Sequence, residues 1–83
     1  MEDEIEEELS REKEVVGERK RWLMTEMNVI EKIIKVLKRL YDKETYTDYR
    51  ELIKSCINTL NDLLKLLKTE YEEIEILEEL EIE

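Results

Sequence analysis

Apolar residues recur along the first half of the chain at alternating steps of four and three. Such steps follow the 3.6-residue turn of an α-helix and place the side chains on one face. The pattern therefore predicts a first helix over about residues 4–42, with its apolar seam facing a core or a dimer interface. The residues of this seam are Leu23, Met27, Ile30, Ile34, Leu37 and Tyr41.

A second apolar seam begins after the polar interruption YDKETYTD. Thr45, Thr47 and Asp48 are suitable N-cap residues, and Glu51 completes a capping-box spacing with Asp48. The sequence therefore predicts a loop over residues 42–47 and a second helix over about residues 48–73. The seam of this helix, also assigned to a core or dimer interface, comprises Tyr49, Ile53, Cys56, Leu60, Leu63 and Leu67.

The last ten residues, 74–83, are predicted to form an acidic, frayed tail. Runs of like charge repel one another and resist ordering. The segment from Ile74 to Leu77, which lies between acidic residues, also resembles a SUMO-interacting motif. That resemblance implies a strand added to the sheet of a partner, and a frayed helix end is the alternative.

Apolar residues also flank the seam of each helix. In the first helix they are Val15, Trp22, Val29, Ile33, Val36 and Leu40, and in the second they are Leu52, Ile57, Leu64, Leu66 and Tyr71. A single hairpin gives each helix one partner, so part of this wide apolar arc would stay in water. The predicted fold class is all-α. We expect one domain over residues 1–83, an antiparallel hairpin of two long helices that dimerises into a four-helix bundle.

A monomeric three-helix bundle, with the first helix broken at Gly17, is the competing fold. A helix break at this position is plausible because glycine in a helix interior costs about 1 kcal/mol relative to alanine. The segment before the break supplies few core residues, namely Ile5, Leu9, Val15 and Val16. The dimeric hairpin is therefore favoured.

Charge is distributed unevenly along the chain. The chain has 24 acidic and 14 basic residues and a formal net charge of −10. Residues 1–14 carry −6 and residues 70–83 carry −8, whereas residues 15–69 carry +4. A hairpin brings both acidic segments to its open end. Two hairpins should therefore pair antiparallel, with their acidic ends apart.

Several chemistries are excluded by the residues that the chain lacks. It has no histidine and only one cysteine, Cys56, so it offers no ready acid or base, no cysteine metal cage and no disulfide framework. Cys56 is interpreted as a buried apolar residue, with a disulfide to a symmetry-related copy as the alternative. The glutamate clusters lack the spaced ligands of a calcium loop. We therefore expect no enzymatic activity, no metal and no cofactor.

The function predicted from these features is that of a non-catalytic dimeric adaptor or regulatory protein, which engages other macromolecules, including an unidentified protein partner, through its charged surface. The alternative is a nucleic-acid-binding protein that uses a basic face of the first helix. The candidate phosphate contacts are Arg19, Arg21, Lys32, Lys35, Arg39 and Lys43. A cytoplasmic location without membrane contact is predicted, and the composition favours a thermophile as the source. Small helical adaptors of this type are also typical of mobile elements and viruses.

Overall fold

The protein is an antiparallel hairpin of two long α-helices. A computed structural model describes the backbone of residues 2–82 and the side chains of residues 13–80. Helix α1 spans Glu2–Lys43 and helix α2 spans Thr47–Ile82, and the two helices pack against each other. The predicted all-α helical hairpin is confirmed within these residues.

The connection between the helices is shorter than the predicted loop over residues 42–47. Only residues 44–46 lie outside the helices. The carboxylate of Glu44 accepts hydrogen bonds from the backbone N–H groups of Thr45 and Tyr46, both at 3.1 Å. The Arg50 N–H donates to the Tyr46 carbonyl at 3.0 Å and closes the first turn of α2. Glu44 therefore satisfies two backbone N–H groups of the turn that precede α2. Tyr46 occupies the N-cap position, and the predicted N-cap residues Thr47 and Asp48 lie within the first turn of α2.

The core is a short row of apolar side chains between the helices. Leu23 is fully buried, and Ile57, Leu60, Leu67, Tyr71 and Ile74 of α2 pack against the buried cluster. The buried residues are Leu23, Met27, Ile30 and Ile34 of α1 and Leu64 of α2. Leu37 and Tyr41 continue the α1 seam and are half-buried. The predicted seam of α1 is thus the face that contacts α2.

Only part of the α2 seam that was assigned to a core or dimer interface packs against α1. Tyr49, Cys56 and Leu63 are exposed in the hairpin, whereas Leu64 is buried. The remaining predicted seam residues of α2, which are Ile53, Leu60 and Leu67, are half-buried. Leu63 and Leu64 support two neighbouring seams that share Leu60 and Leu67, and packing against α1 selects the one through Leu64.

Helix α2 continues to Ile82 rather than ending near residue 73. Ile74 packs against the core, and the ammonium group of Lys20 lies 3.1 Å from the Glu78 carboxylate and 3.9 Å from that of Glu75. These contacts with α1 offset the repulsion that predicted a frayed tail. Residues 74–77 are helical here, not extended as a strand addition requires. Residue 83 of the predicted tail lies outside the described residues.

Helix α1 passes through Gly17 without a break. No glycine among the described residues has a positive φ angle, and a Cβ atom added at Gly17 would meet nothing within 4 Å. Neither backbone conformation nor close packing requires glycine at this position. The three-helix alternative, which needs a break here, is not adopted.

The hairpin is a thin rod. Its extents are 67, 17 and 14 Å, and its radius of gyration is 19.2 Å. A compact chain of this length would have a radius of gyration of about 12 Å. Because the rod is only two helices thick, each helix can bury only the stripe that faces the other helix. Apolar residues on any other stripe remain in contact with water.

Candidate functional site

Helix α1 carries an exposed apolar stripe beside its buried seam. At about 100° per residue, these side chains lie roughly 100° around the helix from Leu23, all in the same rotational sense. Each exposes more than two fifths of its surface. The stripe consists of Val15, Trp22, Val29, Ile33, Val36 and Leu40. Met24 is exposed as well, but on the opposite side of the seam.

Helix α2 carries a matching exposed stripe. Its side chains are displaced from the Leu60–Leu64 seam by a similar angle and in the same sense. The stripe consists of Leu52, Cys56, Leu63 and Leu66. Thr59 lies between Cys56 and Leu63, and its hydroxyl donates to the Ser55 carbonyl at 3.0 Å. The only hydroxyl on this stripe therefore already has an acceptor within its own helix.

Both stripes lie on the same side of the hairpin. Two antiparallel helices turn in opposite senses when viewed from one end, so equal angular offsets bring their stripes to one side. The ion pairs agree with this geometry, because Arg19 meets Glu70 on the side of the stripes while Lys20 meets Glu75 on the other. We call the combined surface, from Trp22 to Leu40 on α1 and from Leu52 to Leu66 on α2, the apolar face.

A cluster of charged and aromatic side chains borders the apolar face toward the open end. The Nε and Nη2 atoms of Arg19 donate to Oε1 of Glu70 at 2.9 and 2.7 Å. The Arg19 guanidinium also lies 4.4 Å from the centre of the Trp22 ring. Both charged side chains are about two fifths exposed, so this ion pair contributes at most about 1 kcal/mol to stability.

Lys20 occupies a more enclosed position on the other side of the hairpin. Its side chain is 22% exposed, and its ammonium group lies 5.1 Å from the centre of the Tyr71 ring. The hydrogen bond to Glu78 raises the pKa of Lys20 above its ordinary value of 10.5. A raised pKa stabilises the fold below the ordinary value, and this contribution is lost as the pH rises through the folded-state pKa. The pair therefore remains intact at neutral pH.

Five of the six candidate phosphate contacts form a basic stripe on the outer surface of α1. All five are exposed, and their angular positions point away from α2. The basic stripe consists of Arg21, Lys32, Lys35, Arg39 and Lys43. Arg19 is not part of it, because Arg19 lies at the edge of the apolar face and pairs with Glu70. The structure therefore places Arg19 apart from the other five candidate phosphate contacts.

The described residues hold no assembled metal site. Among them, no group of three or more acidic or cysteine side chains is close enough together to bind an ion. Cys56, the single cysteine, is exposed at the apolar face rather than buried. Of the helical segments that the structure describes, none has the length and apolar content needed to cross a lipid bilayer.

These features define an antiparallel helical-hairpin protein with one apolar and one polar side. Comparison of the chain with protein families, curated proteins and solved structures found no match.

Proposed function

We propose that the protein is a non-catalytic, dimeric helical scaffold that engages other macromolecules through its charged surface. The observation that carries this proposal is the apolar face, which one hairpin leaves in water. Nine apolar residues cover this side over a length of about 27 Å, from the position of Trp22 to that of Leu40. Monomers rarely expose apolar surface of this extent on one side. By the same helical geometry, the half-buried Glu26 lies among these side chains, between Trp22 and Val29.

A second copy of the chain is the occupant that best fits this surface. Two apolar faces packed together form a four-helix bundle, in which each helix gains the second neighbour that its wide apolar arc requires. Charge favours the antiparallel arrangement. The acidic segments 1–14 and 70–83 together carry −14, and a parallel dimer would place two such ends side by side.

The adaptor role is assigned to the acidic ends of this dimer. Glu72, Glu73 and Glu79 are exposed near the open end of the hairpin. A surface with this charge complements a basic surface on another protein and accelerates its association. The chain has no histidine and a single cysteine, so it offers no ready nucleophile–base pair, and binding is the function that its residues support best.

The acidic ends can be tested with a lysine-rich peptide as the probe. Changing Glu72, Glu73 and Glu79 to glutamine should weaken peptide binding by at least about tenfold, because three attractive charges are removed. The matched control removes three acids elsewhere, with E31Q, E51Q and D62N in one chain. We expect the control to weaken binding by less than about twofold, as measured by fluorescence anisotropy. Equal losses in both variants would contradict a specific role for the acidic ends.

Nucleic-acid binding is the second candidate, and the basic stripe is the observation that favours it. The stripe extends for about 33 Å from Arg21 to Lys43, a length suited to following a phosphate backbone. If this candidate is correct, an electrophoretic shift at low salt should disappear when Lys32, Lys35 and Arg39 are changed to glutamate. No shift with the unchanged chain would remove the nucleic-acid candidate and leave the acidic ends as the binding surface.

A further inference from the structure

Contacts between the two helices show which positions of α1 and α2 lie at the same height along the rod. Arg19 pairs with Glu70, Lys20 lies on Tyr71, and Arg50 lies 4.3 Å from the centre of the Tyr41 ring. In each of these pairs the two residue numbers add to about 90, so positions related in this way lie at the same height. Any position on α1 can thereby be matched to its level on α2.

Within the apolar face, which ends at the Arg19–Glu70 pair, the two stripes are centred at the same level. Val15 and Leu77 are exposed on the same side but lie beyond that pair, outside the apolar face. The midpoint between Trp22 and Leu40 is position 31, and the midpoint between Leu52 and Leu66 is position 59. These two positions satisfy the same relation, so they lie side by side. In an antiparallel dimer the two-fold axis is perpendicular to the helices and exchanges the two ends of each stripe between the copies. Both stripes must therefore be centred at the height of the axis. A parallel dimer, with its axis along the rod, imposes no such condition.

We infer that two copies of the chain pair antiparallel about a two-fold axis at the level of position 31 and Thr59. This inference rests on the proposed dimer and specifies its geometry. The axis lies in the apolar face, perpendicular to the helices, so α1 packs on α1 of the second copy and α2 on α2. Trp22 then lies opposite Leu40 of the second copy, and Leu66 lies opposite Leu52.

Thr59 is suited to the position on the axis. It points toward the second copy, and its methyl group is available for packing because its hydroxyl is bonded to Ser55. A residue on a two-fold axis meets its own copy, so a small side chain allows the two α2 helices to approach closely. The flanking residues Cys56 and Leu63 complete an apolar centre.

This geometry also determines where the charged surfaces lie. Both α1 helices lie on one side of the rod, so the two basic stripes become neighbours. With the axis at position 31, the turn of each hairpin lies opposite about position 17 of the other copy. The helical segments before position 17 and after about position 73 then extend beyond the four-helix core as a two-helix arm at each end. The acidic residues are concentrated on these arms.

Disulfide cross-linking of single cysteines tests the axis. In a Cys56→Ser background, Thr59→Cys places two thiols opposite each other, within the roughly 6 Å between Cα atoms that a disulfide allows. Leu52→Cys in the same background is the matched control. Its two copies would be separated by about 21 Å along the rod. Under mild oxidation we expect at least about tenfold faster cross-linking for the T59C chain than for the L52C chain, with helicity unchanged in circular dichroism.

Light scattering of the same samples distinguishes a failure of the proposed axis from a failure of the proposed dimer. A dimer in which T59C does not cross-link, or in which L52C cross-links as fast, would overturn the proposed axis while leaving the proposed scaffold intact. A monomer at all concentrations would overturn both. Rapid T59C cross-linking in a dimer, with slow L52C cross-linking, would support the antiparallel axis, since a parallel dimer keeps the two α2 helices apart.

Discussion

The substitution Ile33→Lys is expected to dissociate the proposed dimer into monomers. Ile33 is 42% exposed in the hairpin and lies near the centre of the apolar face. Complete burial of an isoleucine contributes about 1.5–3 kcal/mol, and the proposed dimer would bury the exposed 42% of two copies, about 1–3 kcal/mol in all. Losing this contribution raises the dissociation constant roughly 10-fold to 100-fold, and the desolvation of two lysine ammonium groups raises it further. Sedimentation equilibrium measures this change directly.

Met24→Lys is the matched control for this experiment. Met24 is 49% exposed on the same helix, but it lies on the side opposite the apolar face. The two variants introduce the same charge at similar exposure, so they differ mainly in the side of the hairpin that they alter. The control should keep the dissociation constant within about threefold of the original value. Equal weakening in both variants would show that the apolar face is not the interface.

The second large effect is expected inside the hairpin, at Leu23. This side chain is completely buried between the helices and belongs to a cluster of five buried residues among the side chains of residues 13–80. Truncation to alanine should lower the free energy of unfolding by about 2–5 kcal/mol, because it removes buried apolar surface and leaves a cavity. Urea unfolding followed by circular dichroism, at one fixed chain concentration, measures the change.

Met24→Ala provides the comparison for Leu23→Ala. The two residues are neighbours in the sequence, yet Met24 is about half exposed and makes no part of the buried cluster. We expect this variant to change the free energy of unfolding by less than about 0.5 kcal/mol. If Leu23→Ala costs less than about 1 kcal/mol, the packing of the hairpin described above is incorrect.

The two variants at Ile33 and Leu23 report on different parts of the fold. Leu23 stabilises contacts within one chain, whereas Ile33 is assigned to contacts between chains. If the proposed dimer exists, the stability of the fold depends on chain concentration, because association stabilises only the folded hairpin. The Ile33→Lys chain should therefore show unfolding that is almost independent of concentration, while the Leu23→Ala chain should retain the dependence.

The sequence predicted the orientation of α1 better than that of α2. Around the α1 seam, charged residues on the outer side leave a clear choice of buried positions, such as Leu23 and Met27. On α2, the neighbours Leu63 and Leu64 allow either of two seams, both of which include Leu60 and Leu67. Periodicity alone does not distinguish them, because each satisfies the same alternation of four and three. The seam through Leu64 was therefore resolved only by packing against α1.

The sequence predicted an end of α2 near residue 73, which is too early, and the reason is electrostatic. The segment 70–83 has eight acidic residues and no basic one, so local interactions favour fraying. The compensating charge comes from Lys20, which is more than fifty residues away in sequence and contacts Glu75 and Glu78. A pair of this kind depends on the relative height of the two helices. Sequence patterns within one segment do not contain that information.

The sequence by itself determined the two helices, the position of the turn between them and the excess of apolar surface on each. These properties follow from local periodicity, from the polar interruption before Tyr49 and from the absence of proline. The tertiary structure alone decided which leucines of α2 are buried, how Lys20 and Arg19 find their acidic partners, and that both exposed stripes share one side. The reason is that these features depend on the relative rotation and height of the two helices, which are fixed only when the helices pack together.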